Sequence, residues 1–546
     1  MHRTIRTLLN IAFIASSTTL FAQAKPEDKV KVKVRIGLEQ KPDGTMMPYS
    51  IIKSSPTSIM VLRSMEFADR AFTKKEPRLD VYDREKLVYE RSMEPVMQRL
   101  HQDRLLLEDL VLFPSKPTLV ARSGSETEIA LFYQHVDPHL VRQPPAFDKL
   151  CTFPVEVKER HAAWTNNGNA TREKWSTAIA ADSAHMLIHS PELRGRDDGD
   201  AFYLLAMVDR NMQVKWQQIL RVSGDSERSE VLDAAVDSTG AAYLLIKYRY
   251  TDGAPGGGAD DYEVALHKVN ADDMSRVPFT MDAGYYATGG ILQPMGKQLA
   301  YAGIYAGDGN RKLGNFIAWM DTSAGGLSLP TLIPFPEGVD LEAEEVVGVD
   351  DADKKEEGKK AQKQLRSTTD VIALLPKADG GYFIVNEVAF SATYIDPESA
   401  RRFQRFYHGP LQARSITKDG QQQWTTLFRR WVDSDDPILG RVYPLTFNEQ
   451  LHMFLWDSDD TAEDRKLGGK IKPEGTTGLY TIYATFDDKG VFRTKAVLRA
   501  DNDEALICGW GLVRTGKDEY IGMGTGSLVT VEYLPVRIDF MKEVKK

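Results

Sequence analysis

The sequence predicts an all-β chain: a single β-propeller, with eight four-stranded blades and seven as the alternative. Three observations lead there. A polar turn followed by a short apolar run occurs eight times, and a second polar turn falls in each interval between those eight. The runs beside the turns are rich in Val, Ile, Leu, Tyr and Phe, and their lengths fit strands rather than helices.

The first series of turns leads into Met60, Leu119, Met186, Tyr243, Tyr301, Tyr382, Met453 and Tyr520. Successive spacings are 59, 67, 57, 58, 81, 71 and 67 residues. The second series contains Asp83, Asp137, Asp209, Asp272, Asp321, Asp419 and Asp487. Asp and Asn accept hydrogen bonds from backbone two residues on, and Gly supplies positive φ, so both suit tight turns. Two turns per unit give two hairpins, hence a four-stranded antiparallel sheet. Such a sheet cannot bury both faces alone and must stack on its copies. Radial stacking of four-stranded sheets makes a propeller.

The eighth unit supplies three strands and lacks the second turn. The run from Val30 to Leu38 alternates apolar and charged residues, as an outer strand should. It is expected to complete the last blade and close the ring. Residues 337–367 are highly charged, without an aromatic residue, and are expected to form an exposed insertion that explains the spacing of 81. Residues 251–261, dominated by Gly, Ala and Asp, form a smaller expected insertion.

The chain begins with Arg3 and Arg6, an apolar stretch from Leu8 to Phe21, and Ala22, Gln23 and Ala24 as a small-residue cleavage signal. Residues 1–24 thus read as a secretory signal peptide cut after Ala24, with residues 25–546 as one exported propeller domain, periplasmic or secreted. No later apolar run is long enough for a transmembrane helix. The net charge of −9 and the lack of a basic stripe argue against nucleic acid as a partner. Two cysteines, Cys151 and Cys508, are too few for a disulfide scaffold; whether they pair is open.

The stretches DSTGAAYLLIKY, KADGGYFIVNEV and SITKDGQQQW, with the FAQA end of the leader, resemble PQQ-like and WD40-like propellers. The chain is most similar in this grammar to uncharacterised secreted propellers of Bacteroidetes-type bacteria. That resemblance implies strands and turns over most of the mature chain and carries no catalytic residue across.

Chemical motifs are sparse. His135 and His139 flank Asp137 and Pro138 in a second-series turn, where a hairpin is the plainer reading than a metal site. His185 and His189 lie four apart on an expected strand, about 13 Å from one another at roughly 3.3 Å per residue, too far to share an ion. Two acidic tetrads, Asp433 to Asp436 and Asp457 to Asp460, border the seventh blade and are candidate calcium loops, though both lack the later ligands of a calcium-binding loop. The turn at Asp419, Gly420 and Trp424 is similar to a sialidase Asp box with altered spacing. Gly522 to Ser527 holds a G-x-G without a following helix. Trp424, Trp216 and Tyr89 follow second-series turns and are expected to fill gaps between blades.

No catalytic, cofactor-binding or metal-binding residue is assigned, and no cofactor is implied. The expected function is a ligand-binding or protein-interaction scaffold of the cell envelope, with a protein or glycan ligand. The alternative is a carbohydrate-active enzyme, hydrolase or lyase, using carboxylates at the channel mouth. Whether the chain is an enzyme is open, with the balance towards binding.

Overall fold

The computed structural model describes residues 30–37, 47–64, 78–93, 99–100, 103–124, 128–140, 146–155, 175–194, 201–222, 228–250, 262–282, 284–307, 311–323, 325–336, 368–395, 402–434, 440–467, 478–499, 505–508, 512–525 and 533–542. Residues 1–24, 251–261 and 337–367 lie outside these, with the leader and both insertions expected there.

Eight antiparallel sheets follow one another along the chain. Blade 1 is Met47–Lys53, Ser58–Ser64, Arg78–Asp83 and Tyr89–Met93. Blade 2 is Leu106–Leu112, Pro117–Gly124, Ile129–His135 and Asp148–Phe153. Blade 3 is Ser176–Ile179, His185–His189, Ala201–Asp209 and Val214–Arg221. Blade 4 is Arg228–Val236, Ala242–Arg249, Tyr262–Val269 and Met274–Val277. Blade 5 is Tyr286–Met295, Gln298–Ala306, Lys312–Asp321 and Thr331–Pro334. Blade 6 is Thr368–Pro376, Tyr382–Ile395, Arg402–Ile416 and Gln422–Phe428. Blade 7 is Tyr443–Phe447, Gln450–Ser458, Leu479–Phe486 and Phe492–Arg499.

Blade 8 combines both ends of the chain. Its inner position is taken by Leu506–Ile507 and Val513–Arg514, followed outward by Glu519–Thr525 and Tyr533–Lys542. The outermost strand is Val30–Ile36, antiparallel to the last from Val30 opposite Lys542 to Ile36 opposite Val536. The closing strand is therefore the one the alternation predicts, and the seven-blade alternative is excluded. The first strands of blades 1 to 7 touch in order, blade 7 touches the inner strand of blade 8 through its other strands, and blade 8 touches blade 1, so the sheets form a ring.

The core is divided among the seams. Eight apolar clusters are present, each built mainly from two neighbouring blades. This is the physical reason the units must repeat: each sheet buries its faces only against the next. Trp424 stacks on Phe486 of blade 7 with ring centroids 5.7 Å apart. The Trp216 indole donates to the Gly240 carbonyl of blade 4 at 2.9 Å. Tyr89 packs against the cluster between blades 8 and 1. All three aromatics fill seams as expected.

The turns follow the expected chemistry. Side-chain oxygens of Asp83, Asp137, Asp209, Asp321 and Asp487 each accept from a backbone N–H two residues on. In blade 4 the turn begins at Asn270 rather than at Asp272, because Asn270 accepts from the amides of Asp272 and Asp273. In blade 6 Thr417 takes this place, accepting from Gln421, and Asp419 sits at the tip. Because strands alternate in direction, both series of turns emerge on one face of the ring. Connections between second and third strands, and between blades, emerge on the other.

Candidate functional site

The second acidic tetrad and Asp433 of the first fall at the junction of blades 6 and 7, on the face opposite the turns. The second tetrad is not a loop. Asp457 and Ser458 end a strand, and Asp459–Leu467 is a helix, α1. Ser458 caps it, accepting from the Thr461 amide at 3.1 Å, and Asp459 and Asp460 place negative charge in its first turn. The Asp457 carboxylate is gripped by Arg465 through both oxygens and accepts from the Tyr480 hydroxyl at 3.3 Å. Asp459 faces Arg499 at 3.0 Å. These carboxylates are neutralised by arginines of the same chain, which is the wrong arrangement for a calcium cage. No group of three or more His, Cys, Asp or Glu suited to a metal occurs among the described residues. Of the first tetrad, Asp435 and Asp436 lie outside the described residues, and Asp433 belongs to a short strand, Val432–Ser434, paired with Phe406 to His408.

Helix α1 pins the crossover between the two blades. Thr461 donates to the Trp431 carbonyl at 3.3 Å and Arg465 to the Arg429 carbonyl at 2.8 Å. Between them, Arg430 turns inward and is fully buried. It donates to Glu387 at 2.6 Å, to the Gly440 carbonyl at 2.9 Å and to the Trp456 carbonyl at 2.8 Å. Burial pushes the Glu387 carboxyl up, but the neighbouring His408, Arg430 and Arg441 together hold it below the usual carboxylate range. His408 lies with Nδ1 3.5 Å from Glu387 and is 2% exposed. Neither of its ring nitrogens makes a hydrogen bond. Gly440, at φ +82°, lets the crossover pass against the His408 ring; a Cβ there would stand 3.0 Å from it.

Other buried charges are structural by the same test. Arg63 faces Asp80 at 2.6 Å, and Arg122 faces Glu108 at 2.7 Å. Arg414 donates to Asn315 at 3.0 Å and to the Ile333 carbonyl at 2.9 Å, tying blades 5 and 6 together. Asp109 of blade 2 accepts from Ser50 of blade 1 and Thr177 of blade 3, each at 2.9 Å. These links join first strands around the inside of the ring.

The remaining sequence candidates are placed plainly. His135 pairs with the Thr118 hydroxyl at 2.9 Å, while His139 offers its amide to Asp137. His185 and His189 stand at opposite ends of one five-residue strand. Gly522 and Gly524 lie within a strand of blade 8, so no phosphate-binding turn forms. Cys151 and Cys508 lie on blades 2 and 8 and form no disulfide with one another. Sequence reasoning missed Glu387, His408 and Arg430, which look like ordinary surface charges in isolation.

No protein-family model matches the chain, and no curated protein matches it in sequence. Solved structures give only faint likenesses. A polysaccharide lyase described as an ulvan lyase is 11% identical, covering 89% of this chain and 90% of its own, at a TM-score of 0.36. The β-propeller domain of the Trilobed protease from Pyrococcus furiosus is 9% identical, covering 84% and 97%, at 0.33. A protein of unknown function from Dyadobacter fermentans is 9% identical, covering 78% and 95%, at 0.30. Likenesses this faint carry nothing about chemistry.

Proposed function

We propose that this chain is an exported β-propeller that recognises a protein or glycan of the cell envelope, using the face opposite its turns. The observation that carries the reading is the junction of blades 6 and 7. There a capped helix fixes a crossover over a buried Glu387–Arg430 pair. A rigid scaffold presenting fixed connections on one face suits recognition. The enzyme alternative needs two carboxyls free to act as acid and base. The buried carboxylates of Asp80, Glu108, Glu387 and Asp457 are each committed to an arginine, and those of Asp233 and Asp237 to amides and hydroxyls of the chain itself, which favours binding.

A photo-crosslinking residue at exposed Arg441, compared with one at exposed Lys489 on the turn face, tests this in cells. Crosslinks to one envelope component at position 441 and none at 489 are expected. Crosslinking confined to 489, or release of shortened polysaccharide by the purified chain, overturns the reading.

A further inference from the structure

The turn face carries a hollow of about 350 Å³ at blade 3, lined by Ala184, His185, Asp209, Arg210 and Asn211. Its walls are held in place before any ligand arrives. Asp209 Oδ1 accepts from the Asn211 amide at 2.9 Å and the Gln213 amide at 3.1 Å. Arg210 is fixed to the Ser183 carbonyl at 3.2 Å and the Asp182 carbonyl at 2.8 Å. The His185 ring rests on Gly240 of blade 4, whose φ of +83° and missing Cβ leave room for it.

All the wall residues except Ala184 still have polar capacity to spare. His185 Nδ1 is buried and has no partner. Among the described residues, Asp209 Oδ2, Arg210 Nη1 and the Asn211 side-chain amide also make no hydrogen bond. The hollow therefore presents a carboxylate acceptor, a guanidinium donor and an amide offering both, with the buried His185 Nδ1 behind them. These are planar groups, and each can meet a hydroxyl that donates once and accepts once. One negative and one positive side chain cancel, so a charged ligand gains little over a neutral one. The volume is at the small end of ligand sites.

We propose that this hollow binds one or two rings of a neutral saccharide through paired hydroxyls. It stands on blade 3 and faces away from the crossover between blades 6 and 7, so it is independent of the site proposed above. Its openness to solvent predicts weak binding, with Kd on the order of 1 mM for a free sugar.

Saturation-transfer NMR of the full chain against neutral mono- and disaccharides, with glucuronate and glucosamine alongside, tests the proposal. At least one neutral sugar should bind in preference to the charged ones. N211A, at an exposed position, should weaken it about tenfold, a loss of about 1.4 kcal/mol. R210Q should weaken it with the fold intact by circular dichroism, and K489A should leave it unchanged. Absence of transfer from every neutral sugar, tighter binding of a charged sugar, or full binding by N211A and R210Q overturns the proposal. None of these outcomes bears on crosslinking at position 441.

Discussion

Asp233 and Leu292 are joined across two blades: Asp233 Oδ2 accepts the Leu292 backbone N–H at 2.7 Å. Asp233 Oδ1 accepts the Ala234 amide at 2.8 Å. Burial pushes the carboxyl up to about 6, and these two amides only partly offset it. The folded chain thus keeps a proton that the unfolded chain releases between about pH 4 and 6. Folded stability from this group falls as pH rises through that window and is level below it. Relative to D233N, the parent should gain up to about 3 kcal/mol as pH is lowered from 7 to 4. Urea midpoints of both chains across that range check it; a constant difference contradicts it.

The turn at Asp237 is a self-contained hydrogen-bonding unit. Its carboxylate accepts from the Thr239 amide and hydroxyl, the Ala241 amide and, at 2.9 Å, the Tyr243 hydroxyl. D237A should cost about 2–4 kcal/mol, since it strips the turn and leaves a buried hydroxyl unpaired. Because backbone and side chains of the chain itself occupy these oxygens, a calcium chelator should leave the parent's unfolding midpoint unchanged.

Glu387 and Arg430 should behave as one unit. Removing either charge strands the other in the interior, at a cost of about 3–5 kcal/mol for E387Q or R430M alone. The double variant should be more stable than the sum of the two losses predicts, by on the order of 2 kcal/mol. A double-mutant cycle by urea unfolding reads this coupling, and simple additivity would show the two side chains to be independent.

The two thiols should stay reduced and slow. Burial pushes Cys151 up to about 12, so little thiolate forms near neutrality, and Cys508 is fully buried. Native chain should react with a thiol reagent far more slowly than urea-unfolded chain, which should expose two thiols per molecule. Detection of fewer than two in the unfolded, unreduced chain would contradict the absence of a disulfide between them.

What the sequence disclosed follows from the range of each interaction. Asp83, Asp209 and Asp487 bond to amides two residues away, so their turns can be read locally. The closing strand is legible because Lys31 and Lys33 alternate with valines, and both prove exposed. Helix α1 was also within reach: Ser458 precedes two acids and a later Arg465, the usual marks of a helix start and end. Reading the acids as a metal loop obscured it. The Glu387–Arg430 pair had no such local mark. Its members are 43 residues apart, and only the register of blade 6 and the pinned crossover bring them together.

The pairing of Val30–Ile36 with Tyr533–Lys542 also sets a clock. Arg35 meets Asp539 at 3.1 Å across a sequence separation of 504 residues. At a synthesis rate of about 5–20 residues per second, the first strand waits on the order of half a minute or longer for a partner that does not yet exist. Through that time its alternating valines have no blade to cover them. A chain cut short before residue 533 leaves that strand unmatched and the seventh seam without the Val536, Ile538 and Phe540 side of its core. Ring closure therefore requires synthesis to have passed residue 542, and chains stopped short of it carry an exposed β-edge.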